Sequence, residues 1–169
     1  MTKPVWHEPL ISRTQRWNKH GLSGATVWLT GLSGSGKSTI ANELARELLN
    51  TSRLAYILDA DNLRHGLSAG LGYSDDDRAE NIRRVAEVAC LFADAGIVAI
   101  VPIISPFIAS REHARKIHQD NELRFIEVHV ATPIEECERR DTKGLYSKVR
   151  SGEITGLSGV DSIYEPPKS

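Results

Sequence analysis

Cysteine is scarce in this chain: Cys90 and Cys137 are the two it has, and neither belongs to a CxxC or similar metal-ligand spacing. That reads as two reduced, structural thiols rather than a metal site. No stretch approaches the ~18 consecutive apolar residues of a membrane helix. The N-terminal region lacks the continuous apolar segment of a secretory signal, because Trp6, His7, Glu8 and Arg13 interrupt it, so a cytoplasmic protein is expected. Excess charge is missing too. With 21 Lys and Arg against 22 Asp and Glu, net charge −1 and pI about 6.6, there is no basic field to gather DNA or RNA, and a nucleic-acid partner is excluded. Internal repeats and low-complexity tracts are absent. What remains is 169 residues, 40% hydrophobic and 25% charged, an ordinary composition for one globular domain with a sizeable core.

Residues 1–24 are mixed and polar, contain Pro4, Pro9, Gly21 and Gly24, and sustain no period of 2 or 3.6; they read as an N-terminal arm laid over a domain spanning 25–169. Ala25-Thr-Val-Trp-Leu-Thr30 is a short apolar, β-branched run that reads as a buried strand. Gly31 to Gly36 form a loop, and Ile40, Ala41, Leu44, Ala45 and Leu48 then recur at helical spacing from Lys37 onward. A second strand at Leu54–Leu58 ends in the acidic pair Asp59 and Asp61. Ser74 followed by Asp75, Asp76 and Asp77 supplies an N-cap and an acidic first turn, and Ile82, Val85, Ala86, Ala89 and Phe92 make the stripe of that helix. Gly96 closes it, and a third strand follows at Ile97–Val101. Residues 110–120 read as a basic helix, Phe125–Val130 as a fourth strand, and Thr132-Pro-Ile-Glu135 as a capping box with Pro133 at the first helical position of a short helix containing Cys137. Such alternation predicts an α/β, three-layer fold, a parallel sheet covered by helices on both faces, with ligands at the carboxyl ends of the strands; the glycine-rich loop between the first strand and its helix makes it the P-loop NTPase fold. Beyond Arg150 loops are expected.

Gly31-Leu32-Ser33-Gly34-Ser35-Gly36-Lys37-Ser38 matches G-x-x-x-x-G-K-[ST]. In that motif the loop amides wrap phosphates, the lysine reaches the β- and γ-phosphates, and the serine hydroxyl serves Mg²⁺. A chance match in a chain of this length has odds of order 1%, and the motif lies between a predicted strand and a predicted helix, its confirming context. Gly31 to Thr39 are therefore the expected ATP-binding run. No N-K-x-D segment of the kind that reads guanine is present, and the chain is short for a motor ATPase; a small-molecule kinase using MgATP is the better class.

Further segments narrow the class. They are Asp59-Ala-Asp-Asn-Leu-Arg-His-Gly66, Leu71-Gly-Tyr-Ser74, Asp77-Arg-Ala-Glu-Asn-Ile-Arg-Arg84, Ile104-Ser-Pro106 with Arg111, Lys143-Gly-Leu-Tyr146, Gly152-Glu-Ile154, and Gly159-Val-Asp161 with Tyr164-Glu165. Together with Val5-Trp6-His7, Arg13 and the run from Gly24 to Thr39, they resemble the adenylylsulfate kinases over about residues 5 to 165. The resemblance implies transfer of the γ-phosphate of MgATP to the 3′-hydroxyl of adenosine 5′-phosphosulfate. It also implies a homodimer and association with an ATP sulfurylase.

Roles follow from chemistry and resemblance together. Lys37 would stabilise phosphoryl charge. Asp61, at a strand end beside the phosphate loop, would order Mg²⁺ with Ser38 and orient the nucleophile, or else merely cap residues 62–66. Arg78 and Asn81, three apart on one helix, share a face; with Arg64 and Lys143 they would hold the anionic acceptor, although each arginine alone reads as a solvated surface charge. Ile104 and Ser105 would meet the acceptor at the third strand's end. Ser105 has been regarded in the family as a phosphoserine intermediate, but in-line transfer needs positioning more than covalent help, and direct transfer is expected. The sequence departs from the family pattern at Ala60 and Thr142, at Tyr73 in place of Phe, and at Leu157 in place of Phe. The aromatic pair at the last two positions would sandwich the acceptor adenine, so Leu157 removes one π-face. Two rival readings stand beside this one: a kinase for a sugar or nucleoside monophosphate, and a non-catalytic nucleotide-sensing subunit of a sulfate-activating assembly.

Overall fold

The structure, a computed structural model, describes residues 4–168; the first three residues of the expected arm and the last residue of the expected domain lie outside them. Four strands form one wholly parallel sheet: β1 (Ala25–Thr30), β2 (Ala55–Ile57), β3 (Val98–Pro102) and β4 (Arg124–His129), in the order β2-β3-β1-β4. The central strand β1 pairs with both β3 and β4, Ala25 standing opposite Val98 on one side and Arg124 on the other. A strand buried on both faces reads as a mostly apolar run, the buried Thr26 and Thr30 of β1 being hydrogen-bonded through their hydroxyls, and alternate residues of β1 serve different helices. Trp28 joins Val85, Ala86, Ala89, Val101 and Ala114 on one face, under α4 (Asp75–Asp94) and α5 (Ile108–Asp120). Val27 and Leu29 face the other way with Ile100, Ala41, Leu44 and Leu48, under α2 (Lys37–Asn50). Helices therefore cover both faces, as the alternation predicted. Each fully buried side chain of this size contributes about 1.5–3 kcal/mol relative to exposure.

Short elements gather at the carboxyl ends of the strands. They are α3 (Ala60–Leu63), α6 (Ile134–Arg140) and α7 (Leu145–Arg150). Cys137, Tyr146 and Leu157 make a small separate core there, with Leu32, Ile134 and Val149 against it. Among the described residues the segment beyond Arg150 has no helix and is held by its own polar groups: Asp161 accepts from the amides of Gly156 and Leu157, both at 2.7 Å.

Two local expectations need correction. The arm is not irregular throughout, because α1 occupies Arg13–His20. Ser12 and Gln15 form a reciprocal capping box, Gly21 ends the helix in the left-handed conformation, and Trp17 packs against Cys90, Ala93 and Leu123. At α6 the expected capping box does not form. Pro133 is itself the N-cap and makes no side-chain cap bond, because the Thr132 hydroxyl donates instead to the Ser35 carbonyl at 2.8 Å.

Candidate active site

The phosphate loop links β1 to α2 with the conformations its glycines predict. Gly31 has φ 149°, and a Cβ there would lie 2.6 Å from the Val130 carbonyl oxygen. Gly36 has φ 103° and makes no side-chain cap, so the first amides of α2 are left for an anion at the positive end of the helix. Four loop carbonyls are already occupied. Lys37 Nζ donates to Gly31 at 2.9 Å and Leu32 at 2.7 Å, the Tyr146 hydroxyl donates to Ser33 at 2.9 Å, and Thr132 donates to Ser35. Burial pushes the Lys37 ammonium down to about 8, aided by Lys143 and opposed by Asp61 and Asp59.

Next to the loop, the two acids at the end of β2 divide their work. Asp59 caps α3, accepting from the amides of Asp61 at 3.0 Å and Asn62 at 3.1 Å. That leaves the Asp61 carboxylate to pair with Lys143, an interaction that raises the Lys143 ammonium above its ordinary value. Arg64 Nη1 donates to the carbonyls of Leu71 and Gly72, at 3.2 and 2.8 Å, while its guanidinium carbon lies 4.4 Å from the centre of the exposed Tyr73 ring. Arg78 reaches Ser158 and Ser162, both at 3.3 Å, and the Gly156 carbonyl. One turn further along α4, Asn81 is buried with no partner for its Oδ1. An unpaired buried acceptor costs about 1–3 kcal/mol, and a donor from a bound ligand would relieve it.

Ser105 is 1% exposed and sits in the left-handed region at φ 43°. Its hydroxyl is one link in a directed chain: Trp28 Nε1 donates to Ser105 Oγ at 3.1 Å, Ser105 donates to Thr30 Oγ1 at 3.1 Å, and Thr30 donates to the Ile104 carbonyl at 2.6 Å. Among the described residues neither carboxylate nor imidazole is bonded to it. Leu157 is 8% exposed and packs with Cys137 and Tyr146.

One cavity of about 940 Å³ brings these groups together. Ser33, Gly34, Gly36, Lys37, Ser38 and Thr39 line it from the phosphate loop and α2. Asp61, Arg64, Tyr73, Arg78, Asn81, Ile104, Ser105, Lys143 and Leu157 line it from the other elements. Gly31, Leu32 and Ser35 of the expected ATP-binding run do not line it. Sequence reasoning missed the loop's supports, Tyr146 and Thr132, although Tyr146 lay inside a motif already singled out. It also assigned no role to Arg111. This buried side chain ties Glu127 (2.8 Å), the Ser105 carbonyl (2.7 Å) and the Glu165 carbonyl (2.7 Å) together.

A parallel sheet of this order, with a glycine-rich loop delivering a lysine and the start of a helix into a large cavity, defines a P-loop nucleotide-dependent phosphotransferase. The adenylylsulphate kinase family model matches residues 23–169, and the chain belongs to that family. It is 54% identical over 163 residues to a probable adenylyl-sulfate kinase of Halalkalibacterium halodurans, covering 96% of this chain and 80% of that one. It is 56% identical over 165 residues to the bifunctional enzyme CysN/CysC of Mycobacterium tuberculosis, covering 98% of this chain and 26% of that one. Among solved structures, the Mycobacterium tuberculosis APS kinase CysC in complex with AMPPNP and APS superposes with a TM-score of 0.86 at 55% identity, over 88% of this chain and 86% of that one.

Proposed function

We propose that this chain transfers the γ-phosphate of MgATP to the 3′-hydroxyl of adenosine 5′-phosphosulfate, giving ADP and 3′-phosphoadenosine 5′-phosphosulfate. The observation that carries this reading is the shared cavity, in which the phosphate loop and the acceptor-side set of Arg64, Arg78 and Asn81 line one continuous space with Asp61. The relative solved with AMPPNP and APS supports the same pairing of donor and acceptor. Lys37 and the loop amides neutralise charge on the transferring group, and Arg64, Arg78, Asn81 and Lys143 hold the acceptor in line. Ser38 and Asp61 are hard oxygen donors suited to Mg²⁺, which takes one or two protein oxygens beside phosphates and water. When bound, the ion supplies charge neutralisation at the phosphoryl oxygens.

Asp61 orients the attacking hydroxyl once the acceptor has drawn Lys143 from it. Ser105 acts by position: its hydroxyl already lies between Trp28 and Thr30 and lacks a base, which supports direct transfer. Tyr73 and Leu157 border the acceptor base. Exposed Val5, Trp6, Leu10 and Ile11 in the arm support a homodimer that covers them. The bifunctional relative supports association with the ATP sulfurylase that would make the acceptor. Among the described residues no helix is long and apolar enough to cross a membrane. The proposed use of MgATP as phosphoryl donor supports a cytoplasmic location.

A coupled assay for ADP release tests the reaction. Release that depends on adenosine 5′-phosphosulfate is expected; release without it, or equal release with a sugar or nucleoside monophosphate, overturns the assignment.

A further inference from the structure

The carbonyls behind the phosphate loop are the partners of the amides in front of it. In a trans peptide the C=O of one residue and the N–H of the next lie in one plane and point in opposite directions, and no peptide among the described residues is cis. The Ser33 carbonyl, which accepts from Tyr146, therefore fixes the direction of the Gly34 N–H. The Ser35 carbonyl, which accepts from Thr132, fixes that of the Gly36 N–H. Gly34 and Gly36 both line the cavity and both have positive φ, 73° and 103°.

Glycine is the residue least able to hold a peptide plane by its own sterics. The Ser33–Gly34 and Ser35–Gly36 planes, each followed by a glycine that lines the cavity, each have a hydroxyl fastened to the carbonyl side. We propose that Tyr146 and Thr132 are positioning residues for nucleotide binding, which hold the Ser33–Gly34 and Ser35–Gly36 peptides so that their amides face the phosphates.

The surroundings explain why water cannot substitute. Tyr146 is 2% exposed and packs with Cys137 and Leu157, with Leu32 against the cluster. Its own amide is pinned by Asp141 Oδ1 at 3.1 Å, so the ring cannot follow a moving loop. Burial pushes the phenol up to about 12, which keeps it a donor throughout the neutral range. Without the hydroxyl, the Ser33 carbonyl would be left unsatisfied beside an apolar cluster, and rotation of the Ser33–Gly34 plane would relieve that by turning the Gly34 amide away from the cavity.

The inference rests on the nucleotide half of the proposed function, and its test is arranged to be independent of the acceptor half. Binding of AMPPNP with Mg²⁺ is titrated in the absence of acceptor for the wild type, Tyr146→Phe, Thr132→Val, Thr132→Ser and Thr26→Val. Tyr146→Phe and Thr132→Val are each expected to weaken AMPPNP about threefold to tenfold, the value of one net hydrogen bond, and to raise KM for ATP by the same factor with little change in kcat. Thr132→Ser keeps a hydroxyl and should bind like wild type. Thr26→Val deletes a buried hydroxyl bonded to His118, far from the loop in function, and should lower Tm without moving nucleotide affinity.

AMPPNP affinity within twofold of wild type in Tyr146→Phe and Thr132→Val, with Tm lowered as in Thr26→Val, would overturn the proposal, and so would a loss confined to kcat or to acceptor binding. The two lesions lie on different elements, so if one variant fails to fold the other decides. A wild type that binds AMPPNP but phosphorylates nothing would sink the proposed reaction and leave this inference standing.

Discussion

Lys37 is held by carbonyls before any phosphate arrives, and its lowered ammonium has a measurable consequence. A lysine titrating at about 8 when folded, against an ordinary value of 10.5, binds fewer protons than the unfolded chain between those limits. Its linkage therefore makes stability rise with pH across that window, while phosphate prefers the charged form. AMPPNP affinity should accordingly be level below pH 8 and fall above it, approaching tenfold per unit, with proton uptake on binding visible as buffer-dependent heat. A flat profile to pH 9.5 would mean that Lys37 stays charged in the free protein. Leu157→Phe is the second test at this scale. The added ring should tighten adenosine 5′-phosphosulfate by about threefold to tenfold through stacking and also lower Tm, since the side chain already fills a cluster with Cys137 and Tyr146. Unchanged acceptor affinity by calorimetry would show that the ring stays in the cluster. The residues of this site were legible because phosphate chemistry demands particular types at particular spacings. What was not legible was how Asp59 and Asp61 share the work: either acid could cap, and the choice depends on Asp59 being extended, with φ −68° and ψ 124°.

At the scale of elements, the strands and the long helices α2 and α4 followed from apolar period, because each buries one stripe or two faces, and α5 from the basic run at 110–120. Of the short helices, α6 was expected from the segment that follows Thr132 and contains Cys137, whereas α1 and α7 were not. None of the α1 residues is fully buried, so α1 shows no apolar stripe; its cap, together with the bonds from Trp17 to the Asp94 carbonyl at 2.9 Å and from Arg13 to the Asn121 carbonyl at 2.6 Å, holds it instead. Ser12-x-x-Gln15 was the available signal. The same capping logic misled at Thr132, whose hydroxyl had a tertiary use. Polar bonds inside the packed elements carry their own prediction. His118 of α5 is fully buried, its Nδ1 donating to the Ala114 carbonyl at 2.8 Å and its Nε2 facing Thr26 Oγ1 at 2.7 Å. Burial lowers its folded value below 6.5, although the nearby Glu87 opposes the shift. The unfolded chain then takes up a proton that the folded one refuses, so stability is full above about pH 6.5 and is lost as pH falls below it. Tm measured from pH 7.5 to 5 should decline in the wild type, and His118→Gln should be less stable at neutral pH yet show a shallower slope. Equal slopes would assign the acid loss to other groups.

Across the whole molecule, Arg111 joins parts far apart in sequence: the turn after β3, strand β4 and the segment at Glu165. Glu127, its ion-pair partner, also binds Arg115, which is more exposed. Removing the buried member of such a pair costs about 3–5 kcal/mol, and an exposed one 0–1. Arg111→Ala should therefore lower Tm by roughly 6–20 °C for a domain of this size, whereas Arg115→Ala should lower it by at most a few degrees. Similar shifts in thermal melts of the two variants would show that the clamp is not the buried guanidinium. The three tryptophans, finally, divide the molecule among them: Trp6 is exposed in the arm, Trp17 sits where α1 docks, and Trp28 is enclosed in the sheet with its indole N–H on Ser105. Replacing Trp6 and Trp17 by Phe would leave a single tryptophan one hydrogen bond from the third strand's end, so the colour of its emission, excited where tyrosine does not absorb, would report, without any label, whether that hydroxyl changes partner when ligands arrive.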